Sequence, residues 1–190
     1  MCGRYYIEIG EAELKDIISE VEKKTEIYQG ELKLKTSCEI FPADMVPVQV
    51  GVDEYLPMKW GFAGFNGRPV INAKSETALV KPMFKQAMME RRCLIPASGY
   101  YEWQKAGKKK VKRQFCLPGR PMYFAGCYRR EKGSPFCNFV ILTRQATVDI
   151  EHIHDRMPVI IPQKFRADWL HGSPDIMEYA EQGLMYRECF

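Results

Sequence analysis

The chain has 190 residues, of which 46% are hydrophobic and 27% are charged, and this composition excludes a disordered or fibrous protein. A chain of this length buries roughly 70% of its unfolded surface, which is enough for a well-packed core. Its 28 basic and 24 acidic residues give a net charge of +4, but residues 105–113 hold six of the basic residues and none of the acidic ones. The rest of the chain is slightly acidic, so the total charge alone does not identify a partner.

An amphipathic helix is predicted over residues 11–24. Its apolar positions recur at i, i+3, i+4 and i+7, with charged residues on the other face, and are Leu14, Ile17, Ile18 and Val21. A polar connection over residues 25–37 follows it. No run approaches the ~20 apolar residues of a membrane-spanning helix, so we do not expect an integral membrane protein.

Short apolar runs separated by Pro and Gly predict strands in most of the remaining chain. The predicted strands cover residues 45–52, 56–62, 69–71, 92–95, 99–103, 113–117, 122–128, 136–143 and 157–161. Short helices are predicted over residues 77–91, with Pro82 in a first turn, and over residues 163–171. The pattern favours an α+β fold: a single domain over residues 1–190, built on a mainly antiparallel, barrel-like β-sheet with a few peripheral helices.

The basic segment 105–113 lies between two predicted strands and contains Gly107. This context favours a solvated hairpin tip over a dedicated nucleic-acid patch. Lysines at such a tip can still strengthen a phosphate-binding face nearby.

The seven cysteines are odd in number and contain no CxxC pair, and no apolar leader precedes Cys2. Together these features favour free thiols in a reducing cytosol over a disulfide framework. We expect six of the cysteines to be packing residues and the seventh, Cys2, to be reactive.

Cys2 is chemically special because a small second residue allows the initiator Met1 to be removed. The new N-terminus then carries an α-amine with a pKa of about 7.7–8.0 beside a thiol with a pKa of about 8.5, so both groups are expected to be partly nucleophilic at neutral pH. Such a 1,2-aminothiol attacks an aldehyde twice, through a Schiff base and then a five-membered thiazolidine ring. Alternatively, the thiol attacks an amide or ester as in N-terminal nucleophile hydrolases, or Cys2 is an incidental second residue.

Three further segments combine chemically capable residues with strand-like or turn-like surroundings. Asn72 follows an apolar run, where its amide can orient an amine or an aldehyde oxygen or, alternatively, cap a turn. Glu102 lies between large aromatic residues. Partial burial there would raise the pKa of its carboxylate and suit it to proton transfer; the alternative is a carboxylate that points to solvent.

The third segment is 154–158, in which His154 can act as a general acid or base and Arg156 can hold a phosphate. A metal site that begins at His152 and His154 is disfavoured, because no cysteine or carboxylate follows at a familiar ligand spacing. We predict no metal and no cofactor.

Five motifs occur in a fixed order: Met-Cys-Gly-Arg at 1–4, Asn-Ala-Lys-Ser-Glu at 72–76, Arg-Cys-Leu-Ile-Pro-Ala-Ser-Gly-Tyr-Tyr-Glu-Trp at 92–103, Ile-Leu-Thr at 141–143 and His-Asp-Arg-Met-Pro at 154–158. In this order they resemble the SOS response-associated peptidase (SRAP) family, from Cys2 to about Ile161. The resemblance implies a protein that shields abasic sites in single-stranded DNA through a covalent DNA–protein crosslink, with autocatalytic removal of Met1 and a lyase-type reversal.

The resemblance also implies roles for matching residues. Cys2 would be the nucleophile, and Asn72 would position the Cys2 amine and the sugar. Glu102 would shuttle protons during Schiff-base formation and ring closure, while His154 would assist sugar ring opening and reversal of the crosslink. The implied phosphate contacts are Arg4, Lys74, Thr143 and Arg156.

Two departures from the family pattern concern the DNA path. Family members commonly carry Arg where this chain has Lys74, which keeps the charge but loses bidentate phosphate geometry. The family's longer tryptophan-bearing segment after Trp60-Gly61 is also shortened here. Base stacking on Phe62, Phe65 or Trp103 is one interpretation of the remaining aromatic residues, and core packing is the other.

The expected partner is single-stranded DNA that contains abasic sites, and binding to single-strand/double-strand junctions stays an open alternative. We expect no membrane association. A one-to-one crosslink requires only a monomer. The expected location is the cytoplasm, and the nucleoid in a bacterial cell. Two competing hypotheses are an N-terminal-nucleophile cysteine amidohydrolase or peptidase with other substrates, and a non-covalent single-stranded nucleic-acid binding module.

Overall fold

The computed structural model describes residues 2–8, 10, 12–25, 33–65, 67–173, 177 and 183–189. Within these residues the chain forms twelve strands and four α-helices. The strands are β1 (Tyr5–Ile7), β2 (Cys38–Ile40), β3 (Met45–Gly51), β4 (Glu54–Trp60), β5 (Asn72–Lys74), β6 (Arg92–Ala97), β7 (Gly99–Ala106), β8 (Lys109–Cys116), β9 (Met122–Arg130), β10 (Cys137–Gln145), β11 (Arg156–Pro158) and β12 (Met185–Glu188). The helices are α1 (Ala12–Thr25), α2 (Ser75–Ala78), α3 (Pro82–Glu90) and α4 (Arg166–Leu170), the last preceded by a 3₁₀ turn at Gln163–Phe165.

Five strands close into a barrel in the order β10-β4-β3-β6-β9, because β9 pairs back onto β10. The barrel is mainly antiparallel; β10 runs parallel to β4 and to β5. A second sheet has the order β12-β8-β7-β1-β2 and is antiparallel throughout. The predicted α+β fold with a mainly antiparallel, barrel-like sheet is therefore confirmed.

The core lies inside the barrel and between the barrel and the second sheet. Strand β6 is buried along its whole length, which fits the apolar run that follows Arg92 and its position between β3 and β9 in the barrel wall. Tyr5 of β1 joins the two sheets, since its ring lies 5.3 Å from Trp60 and 5.8 Å from Phe124. The N-terminal segment is thereby anchored in the core from its first residues.

Gly99 is needed where β7 lies between β1 and β8 in the second sheet. A Cβ built on Gly99 would stand 2.0 Å from the carbonyl oxygen of Phe115 and 2.5 Å from the hydroxyl of Tyr6. Only a residue without a side chain allows this approach. This close approach of β7 to β1 places Glu102, three residues later, near the N-terminal segment.

The helices cover the barrel from outside. Helix α1 packs on β3 and β4 through its predicted apolar stripe, and α3 packs on β6 and β9. Helix α3 begins at Pro82, as expected, and buries Phe84, Ala87 and Met88 at helical spacing. No helix in the described ranges is long and apolar enough to cross a bilayer.

Several predicted boundaries were wrong. The segment 69–71 contributes only an isolated bridge at Val70, and the strand proper begins at Asn72; likewise β11 ends at Pro158. Strands β1, β2 and β12 were missed because they have no sequence periodicity of their own and form only by pairing. Residue 11 and residues 26–32 of the predicted helix and polar connection lie outside the described residues.

The basic segment forms a hairpin, as expected, but its strands are longer than predicted. Ala106 pairs with Lys109, so the turn consists of Gly107 and Lys108 alone, with φ +61° at Gly107. The predicted strand 99–103 therefore ended three residues too early.

Candidate active site

Cys2 is fully buried between the two sheets, and its Sγ lies 3.9 Å from the carbonyl oxygen of Arg4. Burial raises the pKa of the Cys2 thiol above its ordinary value, and the negative charge of Glu102 raises it further. The expectation of a partly ionised thiol concerns the chain without Met1 and stays a prediction. Because the thiol is held in its neutral form, its attack on a substrate requires a base.

Asn72 stands at the first position of β5, paired in parallel with Ile141 of β10. Its side-chain Nδ2 donates a 2.8 Å hydrogen bond to the carbonyl oxygen of Cys2. Its Oδ1 is buried and has no hydrogen-bond partner among the described residues. A buried acceptor without a partner is costly, so this oxygen is ready to receive an N–H or O–H beside Cys2.

Glu102 is buried in β7, with only 4% of its surface exposed. The alternative of a carboxylate that points to solvent is thereby excluded. Its Oε2 lies 3.9 Å from Nε2 of His154, which is an ion-pair distance and too long for a hydrogen bond. Glu102 thus acts electrostatically on two groups, the Cys2 thiol and the His154 ring.

The His154 ring is oriented from its other nitrogen. The backbone N–H of Arg156 donates to Nδ1 at 3.1 Å, and Oδ1 of Asp155 lies 2.8 Å from the same atom. In the neutral ring an Nδ1 that accepts this hydrogen bond leaves the proton on Nε2, which faces Glu102. When the ring is charged, Asp155 becomes the partner of Nδ1.

Arg4 is held between two aromatic rings. Its guanidinium carbon lies 4.3 Å from the ring centroid of Phe41 and 4.9 Å from that of Trp103. Its Nη1 donates to Glu39 at 3.0 Å. Partial burial by itself would raise the pKa of Glu39, but hydrogen bonds and charges from Lys112 and Arg4 outweigh it and lower that pKa.

The other implied phosphate contacts have different surroundings. Lys74 is exposed at the end of β5, two residues from Asn72. Arg156 is held by a bidentate ion pair to Glu76, at 2.6 and 2.9 Å, and by hydrogen bonds to Thr143. Thr143 is fully buried. In this structure Arg156 and Thr143 therefore contact each other, and a phosphate would have to compete with Glu76 for Arg156.

The three candidate stacking residues differ in their exposure to solvent. Phe62 is fully buried and packs on Phe84, with ring centroids 6.1 Å apart, so of its two interpretations the structure shows core packing. Phe65 is 97% exposed, and Trp103 is partly exposed beside Arg4. Only Phe65 and Trp103 can reach a base without rearrangement.

Two grooves are lined by residues that act on Cys2. One has a volume of about 770 Å³ and is lined by Phe65, Asn72 and Lys74 together with α3 residues. The other has a volume of about 620 Å³ and is lined by Trp103, Glu102 and His154 together with the β7–β8 hairpin. Asn72 lines the first groove and Glu102 the second, and both act on Cys2, which is buried and lines neither groove.

A match to a protein-family model decides the family. The model described as SOS response associated peptidase (SRAP) matches residues 1–188 of this chain. This chain belongs to the SRAP family. Abasic site processing protein YoqW of Bacillus subtilis is 30% identical to it over 97% of this chain and 86% of the relative. Abasic site processing protein YedK of Escherichia coli is 32% identical over 68% of this chain and 62% of the relative.

A solved structure from Bacteroides thetaiotaomicron supports the fold alone. It matches with a TM-score of 0.77 at 22% identity, over 98% of this chain and 91% of that chain. The SRAP fold assigned from the sequence is therefore also found in an experimental structure.

Sequence reasoning missed three residues of this SRAP site. Glu76 lies 80 positions from Arg156, and Glu39 and Phe41 lie 35 and 37 positions from Arg4. The only sequence feature that could have indicated one of them is the motif Asn-Ala-Lys-Ser-Glu, which ends at Glu76. Within the described residues no group of three or more His, Cys, Asp or Glu could hold a metal ion, and His152 contacts the Tyr186 hydroxyl instead at 3.2 Å.

Proposed function

We propose that this protein processes abasic sites in single-stranded DNA by forming a covalent crosslink through Cys2 after Met1 has been removed. The family membership and the names of its relatives, abasic site processing proteins YoqW and YedK, support abasic DNA as the substrate. The observation that carries the proposal is the grouping of Asn72 and Glu102, each of which lines a groove, around Cys2.

The chemistry follows from an amine and a thiol on one residue. The α-amine of Cys2 adds to the aldehyde carbon of the ring-opened deoxyribose, and loss of one water gives a Schiff base. The Cys2 sulfur then bonds to the same carbon, and the thiol proton passes to the nitrogen. The product is a thiazolidine, so the adduct weighs the sum of protein and DNA less one water.

Proton transfer is the step for which the buried residues are suited. The Cys2 thiol is neutral in this environment, and Glu102 is the carboxylate whose charge acts on it, so Glu102 takes the thiol proton and returns it to the nitrogen. The unpaired Oδ1 of Asn72 receives an N–H of the attacking amine. His154, with its Nε2 towards Glu102, donates to the sugar ring oxygen as the aldehyde opens.

DNA contacts divide between the two grooves. On the Asn72 side, Lys74 binds a phosphate and Phe65 stacks on a base. On the Glu102 side, Arg4 binds a phosphate from its place between Phe41 and Trp103. Arg156 reaches a phosphate only when its bidentate contact with Glu76 opens, whereas Arg4 is held by one hydrogen bond, to Glu39, so Arg156 and Thr143 rank below Arg4 and Lys74.

The test is a denaturing gel after incubation with an abasic single strand. The unaltered protein should give a DNA–protein band that survives denaturation, and Cys2→Ala should give none. Cys38→Ala, which removes an exposed cysteine, is the matched control and should crosslink normally. Absence of the band with the unaltered protein, or its persistence with Cys2→Ala, overturns the proposal.

The same residues support a second candidate, a cysteine amidohydrolase or peptidase. Cys2 with Glu102 as its base is a nucleophile–base pair, and the family description names a peptidase. Removal of Met1 by this pair would be one turnover of that chemistry. Repeated release of product from a peptide substrate in the absence of DNA separates this candidate from the first.

A further inference from the structure

The β7–β8 hairpin leaves the second sheet and carries an exposed free edge. Beyond Tyr101, β7 pairs only with β8 in the described part of the chain. Lys105 stands directly opposite Lys110 on the two strands, and both are exposed. Like charges directly opposite each other destabilise a strand pair, so this arrangement calls for a bound anion or some other advantage.

Two neighbouring cations of the hairpin are already neutralised. Lys112 contacts Glu39, and Arg113 pairs with Glu188 at 3.0 Å. No ion pair joins Lys105 or Lys110 to any residue that the structure describes. These two lysines are therefore a charge surplus at a defined place and account for much of the positive charge that the sequence concentrates in this segment.

The surplus borders the groove that ends at the active site. Trp103, Lys105 and Lys110 line the hairpin side of the 620 Å³ groove, which reaches Glu102 and His154. Trp103 and Lys105 point to the same face of β7, about 7 Å apart at the usual strand rise. A series of an aromatic ring and cations along a groove is the pattern that single-stranded nucleic acids bind, with bases on the rings and phosphates on the cations.

The facing wall carries the opposite charge. Glu151 and Asp155 line the loop side of the same groove. Their charges repel a phosphate backbone, which therefore follows the hairpin wall. The hairpin wall of the groove thus attracts a polyanion, and the loop wall repels it.

We propose that Lys105 and Lys110 bind backbone phosphates of the DNA strand that leaves the lesion, so that the hairpin extends the binding surface several nucleotides beyond the crosslinking site. The choice of DNA as the polyanion rests on the proposed function. The alternative advantage is protection of a free strand edge by lysines, which prevents aggregation and predicts no effect on DNA.

The experiment measures non-covalent binding to single strands that contain an abasic analogue without an aldehyde, so that no crosslink enters the result. Lys105→Gln/Lys110→Gln is compared with Lys108→Gln/Lys109→Gln, which removes the same charge from the turn and from the opposite face of the hairpin. Each protein is tested on a short strand with two nucleotides on either side of the lesion and on a strand about ten nucleotides longer on each side. Melting temperatures confirm that both variants fold.

For the long strand, Lys105→Gln/Lys110→Gln should bind about tenfold more weakly at low salt, with a salt slope smaller by about 1.4, because two single-strand phosphate contacts are lost. The short strand should bind all three proteins equally, and the control variant should retain long-strand affinity. Unchanged long-strand binding by the first variant, or an equal loss in the control, overturns the inference. The proposed function fails separately, if the unaltered protein makes no adduct with a reactive abasic strand.

Discussion

The side-chain amide of Asn72 donates a 2.8 Å hydrogen bond to the backbone carbonyl of Cys2, across 70 positions of sequence. This contact fixes the orientation of the residue that carries both nucleophiles. It also leaves the buried Oδ1 of Asn72 as an acceptor towards the same place. In the proposed reaction, Asn72 therefore helps to position the attacking amine.

Asn72→Asp should slow crosslinking, because a carboxylate has the same shape but donates no hydrogen bond to the Cys2 carbonyl. Loss of a buried hydrogen bond costs about 1–3 kcal/mol, which corresponds to a rate about 5- to 140-fold lower. The measurement is the single-turnover rate of adduct formation with saturating abasic DNA. The control is Asn138→Asp, which removes a similar buried amide bond, to Gly61, away from the site and should keep the normal rate if it folds. Equal rates for Asn72→Asp and the unaltered protein would remove Asn72 from the site.

Glu102→Gln should slow adduct formation about 100-fold, the lower end of general acid–base contributions, while non-covalent DNA binding stays near normal. The neutral Cys2 thiol loses its proton acceptor, since an amide does not accept a proton at these pH values. The rate deficit should shrink as the pH rises, because hydroxide then removes the thiol proton. Glu90→Gln, an exposed glutamate on α3, is the control. A deficit that is absent or independent of pH would show that Glu102 does not move this proton.

Phe65→Ala should weaken DNA binding without changing stability. Phe65 is 97% exposed, so its removal should alter the free energy of unfolding by less than about 0.5 kcal/mol, whereas a lost base stack costs about 1–3 kcal/mol of binding. Affinity by fluorescence anisotropy and stability by urea unfolding separate the two effects. Val148→Ala, which truncates another largely exposed apolar residue, should change neither quantity. Normal affinity for Phe65→Ala would place the DNA path elsewhere.

The ion pair between Glu76 and Arg156 predicts an acid-dependent stability. The hydrogen bond and the charge of Arg156 lower the pKa of Glu76 from 4.5 to about 2. A carboxylate whose pKa is lower in the folded state than in the unfolded state stabilises the fold. This stabilisation is complete above the unfolded-state pKa and is lost as the pH falls through the folded-state pKa. Glu76→Gln should therefore be less stable than the unaltered protein at pH 6, and the gap should close between pH 4.5 and about 2.

Urea unfolding at a series of pH values tests the assignment of this acid dependence to Glu76. The control is Glu20→Gln, which removes a partly exposed i,i+4 partner of Lys24 on the surface of α1. Exposed pairs of that kind contribute little, so its curve should follow that of the unaltered protein. A constant gap for Glu76→Gln over the whole range would contradict the pKa shift.

The sequence predicted the fold well where periodicity carries the information. The apolar stripe of α1, the first turn of α3 at Pro82 and the long apolar strands of the barrel were found because each is specified by its own residues. Strands β1 and β12 were not found, since three or four residues become a strand only when a neighbour supplies the pairing. The same limit applies to the extension of the hairpin through its lysines.

The sequence predicted which residues form the candidate site, but not their burial or their ion pairs. The motifs named Cys2, Asn72 and Glu102, and the structure brings these three together. No local pattern reveals that the Cys2 thiol is fully buried or that Arg156 is held by Glu76, because both facts depend on contacts between distant segments. Phe62 and Phe65 likewise differ only in which side of the chain faces the core.

The most direct test of the account is the intact mass of the protein before and after incubation with abasic single-stranded DNA. The account predicts a starting mass that lacks Met1 and a product equal to the sum of protein and DNA less one water. It predicts no such product for Cys2→Ala or for DNA whose aldehyde has been reduced beforehand. A product that forms equally with Cys2→Ala, or no product from protein that lacks Met1, would contradict it.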